Sequence, residues 1–139
     1  MKDKRNIENI YVIGDVHGCF YTLKNLIKKL PQNAELIFVG DLCDKGNFSK
    51  EVIEFVISGG YPCVKGNHEH LMEKYLHNAV HHDIHSPWST DYRYGGMATY
   101  ESYRNDHETM KRHLEWIADL PMYIQLKNYF ITHGFALPF

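Results

Sequence analysis

The sequence predicts a single α/β domain in which parallel strands alternate with helices. Two observations lead to this fold class. Short apolar runs rich in β-branched residues alternate with segments whose apolar residues recur at helical spacing, and this βα unit occurs three times before residue 81. Four strand-like runs are each followed at once by a short polar string that contains glycine and Asp, His or Asn. Repeated βα units indicate parallel strands joined by right-handed crossovers.

The three βα units account for the first 80 residues. Apolar residues fall on one face of each helical segment, so each helix is expected to pack against the sheet. Gly59 and Gly60 end the second helix. The predicted strands are residues 7–13, 35–39 and 61–65, and the predicted helices are residues 20–30, 48–58 and 69–80.

A polar segment separates these units from the second half of the chain. Residues 81–96 are predicted to be a loop long enough to form a functional surface. Tyr100, Tyr103 and residues 107–120 are predicted to be helical, and Pro121 ends that helix. Residues 122–126 and 129–132 would then form a tight hairpin that leads into the last polar string.

Length, charge and composition argue against several classes of protein. The chain has 139 residues, of which 44% are apolar and 14% aromatic, enough for one domain with one core. The net charge of −2 argues against a nucleic-acid groove. Residues 1–9 do not resemble a signal peptide, and no apolar run approaches the ~18 residues of a membrane span. Cys19, Cys43 and Cys63 lack metal or disulfide spacing, so we expect a cytoplasmic protein.

Four polar strings carry the candidate chemistry. They are GDVHG at 14–18, GDLCDKG at 40–46, GNHE at 66–69 and THG at 132–134. Because each follows a predicted strand, their side chains are expected to meet at one edge of the sheet. Carboxylate, amide and imidazole groups together are suited to holding divalent metal ions.

The spacing of these residues predicts two metal ions. Asp15 and His17 stand two residues apart at the end of the first strand, so both can face one ion, and Asp41 can reach the same ion. Asp41 has a second oxygen for another ion, whose protein ligands would be completed by Asn67 and His133. Water held between two cations ionises near neutral pH and would attack phosphorus as a bridging hydroxide. The pattern therefore predicts hydrolysis of phosphate esters.

Two further residues are predicted to protonate the leaving group of the substrate. His68 lies beside Asn67 but is not needed as a ligand, so it is placed to protonate the leaving alkoxide. Asp44 is the candidate to orient the His68 ring. We expect Glu69 to be only a favourable carboxylate in the first turn of a helix.

At these strings the chain resembles the metallophosphoesterase superfamily, and within it the phosphoprotein phosphatases that include bacterial and phage serine/threonine phosphatases. The family pattern is GDxHG, GDxxDRG, GNHE and a later HG or HA. The resemblance implies a four-layer αββα sandwich with two mixed sheets packed between helices. It also implies the roles of seven residues: Asp15, His17 and Asp41 on the first metal, Asp41, Asn67 and His133 on the second, and Asp44 with His68 as proton relay.

The chain departs from that pattern in two respects. Lys45 and Lys65 stand where the family usually has arginine, so we expect them to bind substrate phosphate as point charges without a bidentate fork. The family also has a further metal-binding histidine in a downstream GHT-like string, and a further arginine. Because nothing follows Phe139, residues 1–139 are expected to be the N-terminal portion of a single metallophosphoesterase domain. Such a C-terminally truncated form would bind one metal well and the second poorly.

Three functions remain open on the sequence. The first is a phosphomonoesterase of the serine/threonine phosphoprotein phosphatase type, which Asp44 favours because related diadenosine tetraphosphate hydrolases tend to lack it. The alternatives are a symmetrical dinucleoside polyphosphate (Ap4A-type) hydrolase and a catalytically incomplete metal-binding fragment. The expected substrate is a phosphorylated protein or peptide, or a small phosphoester. The expected cofactors are two divalent ions, with manganese as first choice and iron, zinc and nickel as alternatives.

Overall fold

The computed structural model describes residues 9–80 and 85–134, apart from the side chains of residues 77–80. Parts of two predictions therefore lie outside the described residues, namely residues 7–8 of the first strand and 81–84 of the polar loop, as do residues 135–139. The elements in chain order are β1 (Ile10–Ile13), α1 (Phe20–Ile27), β2 (Glu35–Phe38), α2 (Ser49–Ser58), α3 (Asn67–Val80), α4 (Pro87–Thr90), α5 (Gly96–Ser102), α6 (His107–Ala118), β3 (Tyr123–Gln125) and β4 (Phe130–Thr132).

The first sheet consists of β1 and β2. They pair in parallel with a register that runs from Ile10 opposite Glu35 to Ile13 opposite Phe38. Since a helix joins them, this pair is the βα crossover that the sequence predicts. Polar strings leave both strands at the same edge of the sheet.

The predicted third strand, residues 61–65, is wrong as a full strand. Only one bridge, between Phe38 and Cys63, joins this segment to β2. The backbone N–H of Phe38 donates to the Pro62 carbonyl at 2.8 Å, and the N–H of Val64 donates to the Phe38 carbonyl at 3.0 Å. Pro62 has no N–H to continue the ladder. The segment still runs parallel to β2, and it delivers the GNHE string to the same edge.

The predicted hairpin is present. β3 and β4 pair in antiparallel register, with Tyr123 opposite Thr132 and Gln125 opposite Phe130. Leu126 and Ile131 are buried against Ile37 of β2, so the hairpin packs on the first sheet. This packing carries His133, which directly follows β4, to the edge where the other polar strings lie.

The polar loop predicted for residues 81–96 contains an element that the prediction missed. α4 begins after Ser86, whose hydroxyl accepts a hydrogen bond from the Ser89 N–H at 3.3 Å. Pro87 at the first helical position favours this start. The short helix buries the Trp88 ring, which is 1% exposed.

The helices otherwise follow the predictions to within a few residues. Their buried faces and the first sheet form the main core, and no helix within residues 9–80 and 85–134 is long and apolar enough to cross a bilayer. α1 ends at Ile27, and the predicted last turn is reduced to single tight turns such as the 3.0 Å bond from the Leu30 N–H to the Ile27 carbonyl. The largest fully buried apolar side chains include Trp88, Tyr103, Phe38, Ile37, Leu42, Ile53, Met72, Leu76, Met110 and Ile117.

A series of hydrogen bonds connects α6 to α2. Tyr103, which follows α5, donates its hydroxyl to His113 Nδ1 at 2.8 Å, and His113 Nε2 lies 2.6 Å from Glu54 Oε2. Both Tyr103 and His113 are fully buried, and burial lowers the pKa of His113. Hydrogen bonds from Arg112 and His113 lower the pKa of Glu54 to about 2. As the pH falls, the unfolded chain takes up these protons first, so both groups contribute stability that is lost on acidification.

Tyr103→Phe tests this chain of contacts. The substitution leaves the buried Nδ1 of His113 without a donor, so we expect the free energy of unfolding to fall by about 1–3 kcal/mol in urea titrations. Tyr100→Phe is the matched control, because the Tyr100 hydroxyl makes no hydrogen bond within the part of the chain that the structure describes. Equal losses in the two variants would contradict the assignment.

Candidate metal centre

The polar strings converge through backbone contacts between their loops. The N–H groups of Val16 and His17 both donate to the Asp41 carbonyl, at 3.0 and 2.9 Å. His17 and Asp41 have left-handed backbones, with φ of 47° and 51°. Such backbone is costly for residues other than glycine, and it is found where surrounding contacts fix it. The first two loops are therefore locked together at the site.

The first cluster contains Asp15, His17 and Asp41. The Nε2 atom of His17 lies 3.8 Å from Asp15 Oδ2 and 3.7 Å from Asp41 Oδ2. On the other side of the ring, Nδ1 donates to the Cys43 carbonyl at 2.8 Å. Because a carbonyl only accepts, this bond fixes the proton on Nδ1 and leaves Nε2 facing the carboxylates.

The second cluster is built in the same way around His133. Its Nδ1 donates to the Val39 carbonyl at 2.7 Å, while Nε2 lies 2.9 Å from Asn67 Oδ1 and 3.4 Å from Asp41 Oδ1. In the neutral ring, Nε2 and the amide oxygen are both acceptors that face each other. Such an arrangement is repulsive by itself and favourable around a cation.

Asp41 is common to both clusters. Its Oδ2 faces His17, its Oδ1 faces His133, and the residue is 3% exposed. Potential ligand atoms lie within 4.8 Å of one another in two sets that both include Asp41: one with Asp15 and His133, the other with His17 and His68. Carboxylates, imidazoles and an amide oxygen make a donor set that fits divalent transition metals, so the residues present fit two such ions.

His68 and Asp44 are also brought together. His68 Nδ1 lies 2.7 Å from Asp44 Oδ2, and this hydrogen bond is the main cause that raises the pKa of His68. The His68 ring makes an edge contact with the His17 ring, with centroids 4.7 Å apart. Its Nε2 lies 4.0 Å from Asp41 Oδ2, so the second ring nitrogen faces the metal clusters.

Asp44 is held in place by residues that the sequence analysis did not identify. Trp88 Nε1 donates to Asp44 Oδ2 at 2.8 Å, and the Thr99 hydroxyl donates to Oδ1 at 2.7 Å. The Asp44 N–H donates to the Thr99 and Ser49 hydroxyls, at 2.7 and 3.1 Å. The one available signal was the aromatic and polar composition of the predicted loop, which did not single out Trp88.

Glu69 does more than the sequence indicated. It is fully buried, and its carboxylate accepts hydrogen bonds from the backbone N–H groups of Asp41, Leu42 and Gly66. Burial raises the pKa of Glu69, while the three amides oppose that rise. The expectation that Glu69 merely supplies charge to a helix end is therefore corrected: it joins two of the loops that form the site.

The two lysines differ in their surroundings. Lys45 Nζ lies 3.4 Å from His17 Nε2, at the first cluster. Lys65 Nζ instead donates to Glu73 Oε2 at 3.0 Å and to the Ala118 carbonyl at 3.2 Å. The structure thus brings the Lys45 ammonium to the metal ligands, whereas the Lys65 ammonium is engaged by α3 and α6. A role for Lys65 in substrate binding stays a prediction.

An open pocket of about 390 Å³ adjoins the second cluster. The residues that line it include Asn67, His133, His70, Met122 and Thr132.

Similarity to known proteins identifies the family of the chain. Residues 8–136 match the family described as calcineurin-like phosphoesterases. The symmetrical bis(5'-nucleosyl)-tetraphosphatase of Serratia proteamaculans is 44% identical over 72 residues, covering 47% of this chain and 25% of that protein. Serine/threonine-protein phosphatase 1 of Salmonella typhimurium is 33% identical over 72 residues, covering 50% and 33%. The crystal structure of a metallophosphoesterase from Sphaerobacter thermophilus gives a TM-score of 0.63 at 22% identity, covering 87% of this chain and 44% of that one.

These matches differ in what they establish. The chain spans between a quarter and a half of the length of the three proteins. The crystal structure, at its low identity, supports the fold alone, and the two curated relatives carry different activities. The family match extends over nearly all of the chain and includes every polar string described above. The chain therefore belongs to the calcineurin-like phosphoesterase family, the metallophosphoesterases.

Proposed function

We propose that this chain forms the dinuclear metal centre of a phosphoester hydrolase of the serine/threonine phosphoprotein phosphatase type. The observation that carries the proposal is the position of the Asp41 carboxylate between His17 Nε2 and His133 Nε2, at 3.7 and 3.4 Å. A carboxylate with an imidazole on each side can bridge two neighbouring cations, and this is an arrangement suited to a two-metal site.

The proposed ligands follow from the two clusters. Asp15, His17 and Asp41 would hold one ion, and Asp41, Asn67 and His133 would hold the other. Two divalent ions would supply the positive charge that polarises the phosphoryl group and makes water acidic enough to attack it near neutral pH. Manganese is the first choice, and iron, zinc and nickel accept the same ligands.

His68 is the proposed general acid. Its Nδ1 proton is held by Asp44, so a proton on Nε2 faces the site, where it can pass to the leaving oxygen. The Asp44 carboxylate, 2.7 Å from Nδ1, favours the protonated ring that this role needs. Asp44, fixed by Trp88 and Thr99, positions the ring without touching the substrate.

Lys45 is the proposed contact to substrate phosphate. Its ammonium lies at the first cluster, 3.4 Å from His17 Nε2, and the side chain is exposed enough to move onto a ligand. Lysine would supply charge there without the bidentate geometry of arginine. The substrate is proposed to be a phosphorylated protein or peptide.

A dinucleoside polyphosphate is the alternative substrate. Two observations favour it: the 44% identity to the Serratia tetraphosphatase, and the pocket of about 390 Å³ beside Asn67 and His133. The third possibility is a metal-binding module without turnover. We also propose a cytoplasmic location, which the free state of Cys19, Cys43 and Cys63 supports.

The acid role is tested by His68→Asn with two substrates. A general acid matters most when the leaving group is poor, so we expect kcat to fall by about 10²–10⁴ on a phosphoserine peptide. The loss on p-nitrophenyl phosphate, whose leaving group needs little protonation, should be clearly smaller. His107→Asn, at an exposed position on α6, is the control and should leave both rates unchanged. Equal losses of His68→Asn on both substrates would contradict the role.

A second assay separates the three functions. Turnover with added Mn²⁺ is measured on a phosphoserine peptide and on Ap4A, for this chain and for a form extended past Phe139. The proposal predicts a higher kcat/KM on the phosphopeptide. A higher value on Ap4A would replace it with the alternative. Bound manganese without turnover of either substrate by either form would show a metal-binding module.

A further inference from the structure

We propose that Glu69 is a positioning residue that sets the distance between the loop carrying Asp41 and the helix start carrying Asn67 and His68. The metal centre would then take its shape from a carboxylate that binds no metal. This inference rests on the proposed function, because it concerns the residues assigned there as metal ligands and acid.

The contacts of Glu69 reach two separate segments. Oε2 accepts from the Asp41 N–H at 2.7 Å and from the Gly66 N–H at 2.9 Å, while Oε1 accepts from the Leu42 N–H at 2.7 Å. Asp41 and Leu42 follow β2, whereas Gly66 directly precedes α3. One side chain therefore connects the backbones of two loops, each of which carries a proposed metal ligand.

The burial of Glu69 distinguishes this role from simple stabilisation of a helix. A carboxylate in a first turn interacts with the helix dipole while exposed to water and needs no burial. Glu69 is fully buried, and no lysine or arginine within residues 9–80 and 85–134 forms an ion pair with it. Removal of a charge from water is costly unless hydrogen bonds compensate, and here backbone amides do so. Such an arrangement favours a specific connection between loops.

The loops are also too close for side chains at their glycines. A Cβ atom at Gly66 would lie 2.2 Å from Asp41 Oδ1, and one at Gly40 would lie 2.4 Å from the Gly66 nitrogen. Gly40 also has a left-handed φ of 86°. The Asp41 carboxylate in turn accepts the His68 N–H at 3.0 Å. Both the backbone and the side chain of Asp41 are thus fixed to the start of α3, and a shift at Glu69 would move Asp41 relative to Asn67.

The test compares Glu69→Gln with Glu73→Gln in the 139-residue chain. Glutamine keeps the size of Glu69 but turns an NH₂ donor towards backbone donors. Glu73 lies one turn further along α3 and pairs with Lys65 at 3.0 Å, so its substitution removes a charge from the same helix but no hydrogen bond to the amides of Asp41, Leu42 or Gly66. Mn²⁺ affinity is measured by calorimetric titration, and the free energy of unfolding of the metal-free chain by urea titration.

We expect Glu69→Gln to weaken Mn²⁺ binding per folded molecule by about 10–100-fold, the range typical of residues that orient metal ligands. Glu73→Gln should bind Mn²⁺ as the unsubstituted chain does. If Glu69→Gln loses stability but keeps the original affinity, Glu69 has only a structural role and the inference is overturned. If the unsubstituted chain binds no Mn²⁺, the proposed function itself fails, and this inference with it.

A measurement on the unsubstituted chain covers the case in which Glu69→Gln does not fold. Hydrogen exchange by NMR reports the amides of Asp41, Leu42 and Gly66 individually. They should exchange slowly and at similar rates in the metal-free chain, since one carboxylate holds all three. Fast exchange at any one of them without metal would show that the connection is not maintained, and would overturn the inference.

Discussion

The Asp41 carboxylate is the group on which the whole site depends. It lies between His17 and His133, with Nε2 to oxygen distances of 3.7 and 3.4 Å, and it accepts the backbone N–H of His68. Three segments far apart in sequence therefore meet at one side chain. Each imidazole presents an unshared electron pair because its other nitrogen donates to a backbone carbonyl. Such converging acceptors repel one another and are favourable around positive charge.

Much of the fold could be predicted because periodicity reports which residues face the core. The parallel pair β1 and β2 and the antiparallel hairpin followed from short apolar runs and the turn between the last two. The third strand failed because Pro62 removes an N–H from the ladder, so that only Cys63 pairs with β2. α4 was missed because its signals, Ser86 followed by Pro87, span two residues within a polar segment. The cap and the proline start a helix there, although the polar composition of the segment favours a loop.

The convergence of the candidate residues was predictable where they follow strands directly. Asp41 could be placed at the sheet edge because the strand before it is apolar and short, and the family match covers this part of the chain. The partners of Asp44 could not be placed, since Trp88 and Thr99 lie 44 and 55 residues further along and reach it only through tertiary packing. The contacts of Glu69 were also hidden, because a carboxylate at a helix start is the same in sequence whether it is exposed or buried.

Anomalous diffraction from crystals of this chain grown with Mn²⁺ tests the central claim most directly. The account predicts a strong peak bounded by Asp15, His17 and Asp41. It also predicts a second, weaker peak roughly 3.5–4 Å away, near Asn67 and His133, with the Asp41 carboxylate between the two. Manganese bound only at positions that Asp41 does not contact would contradict it.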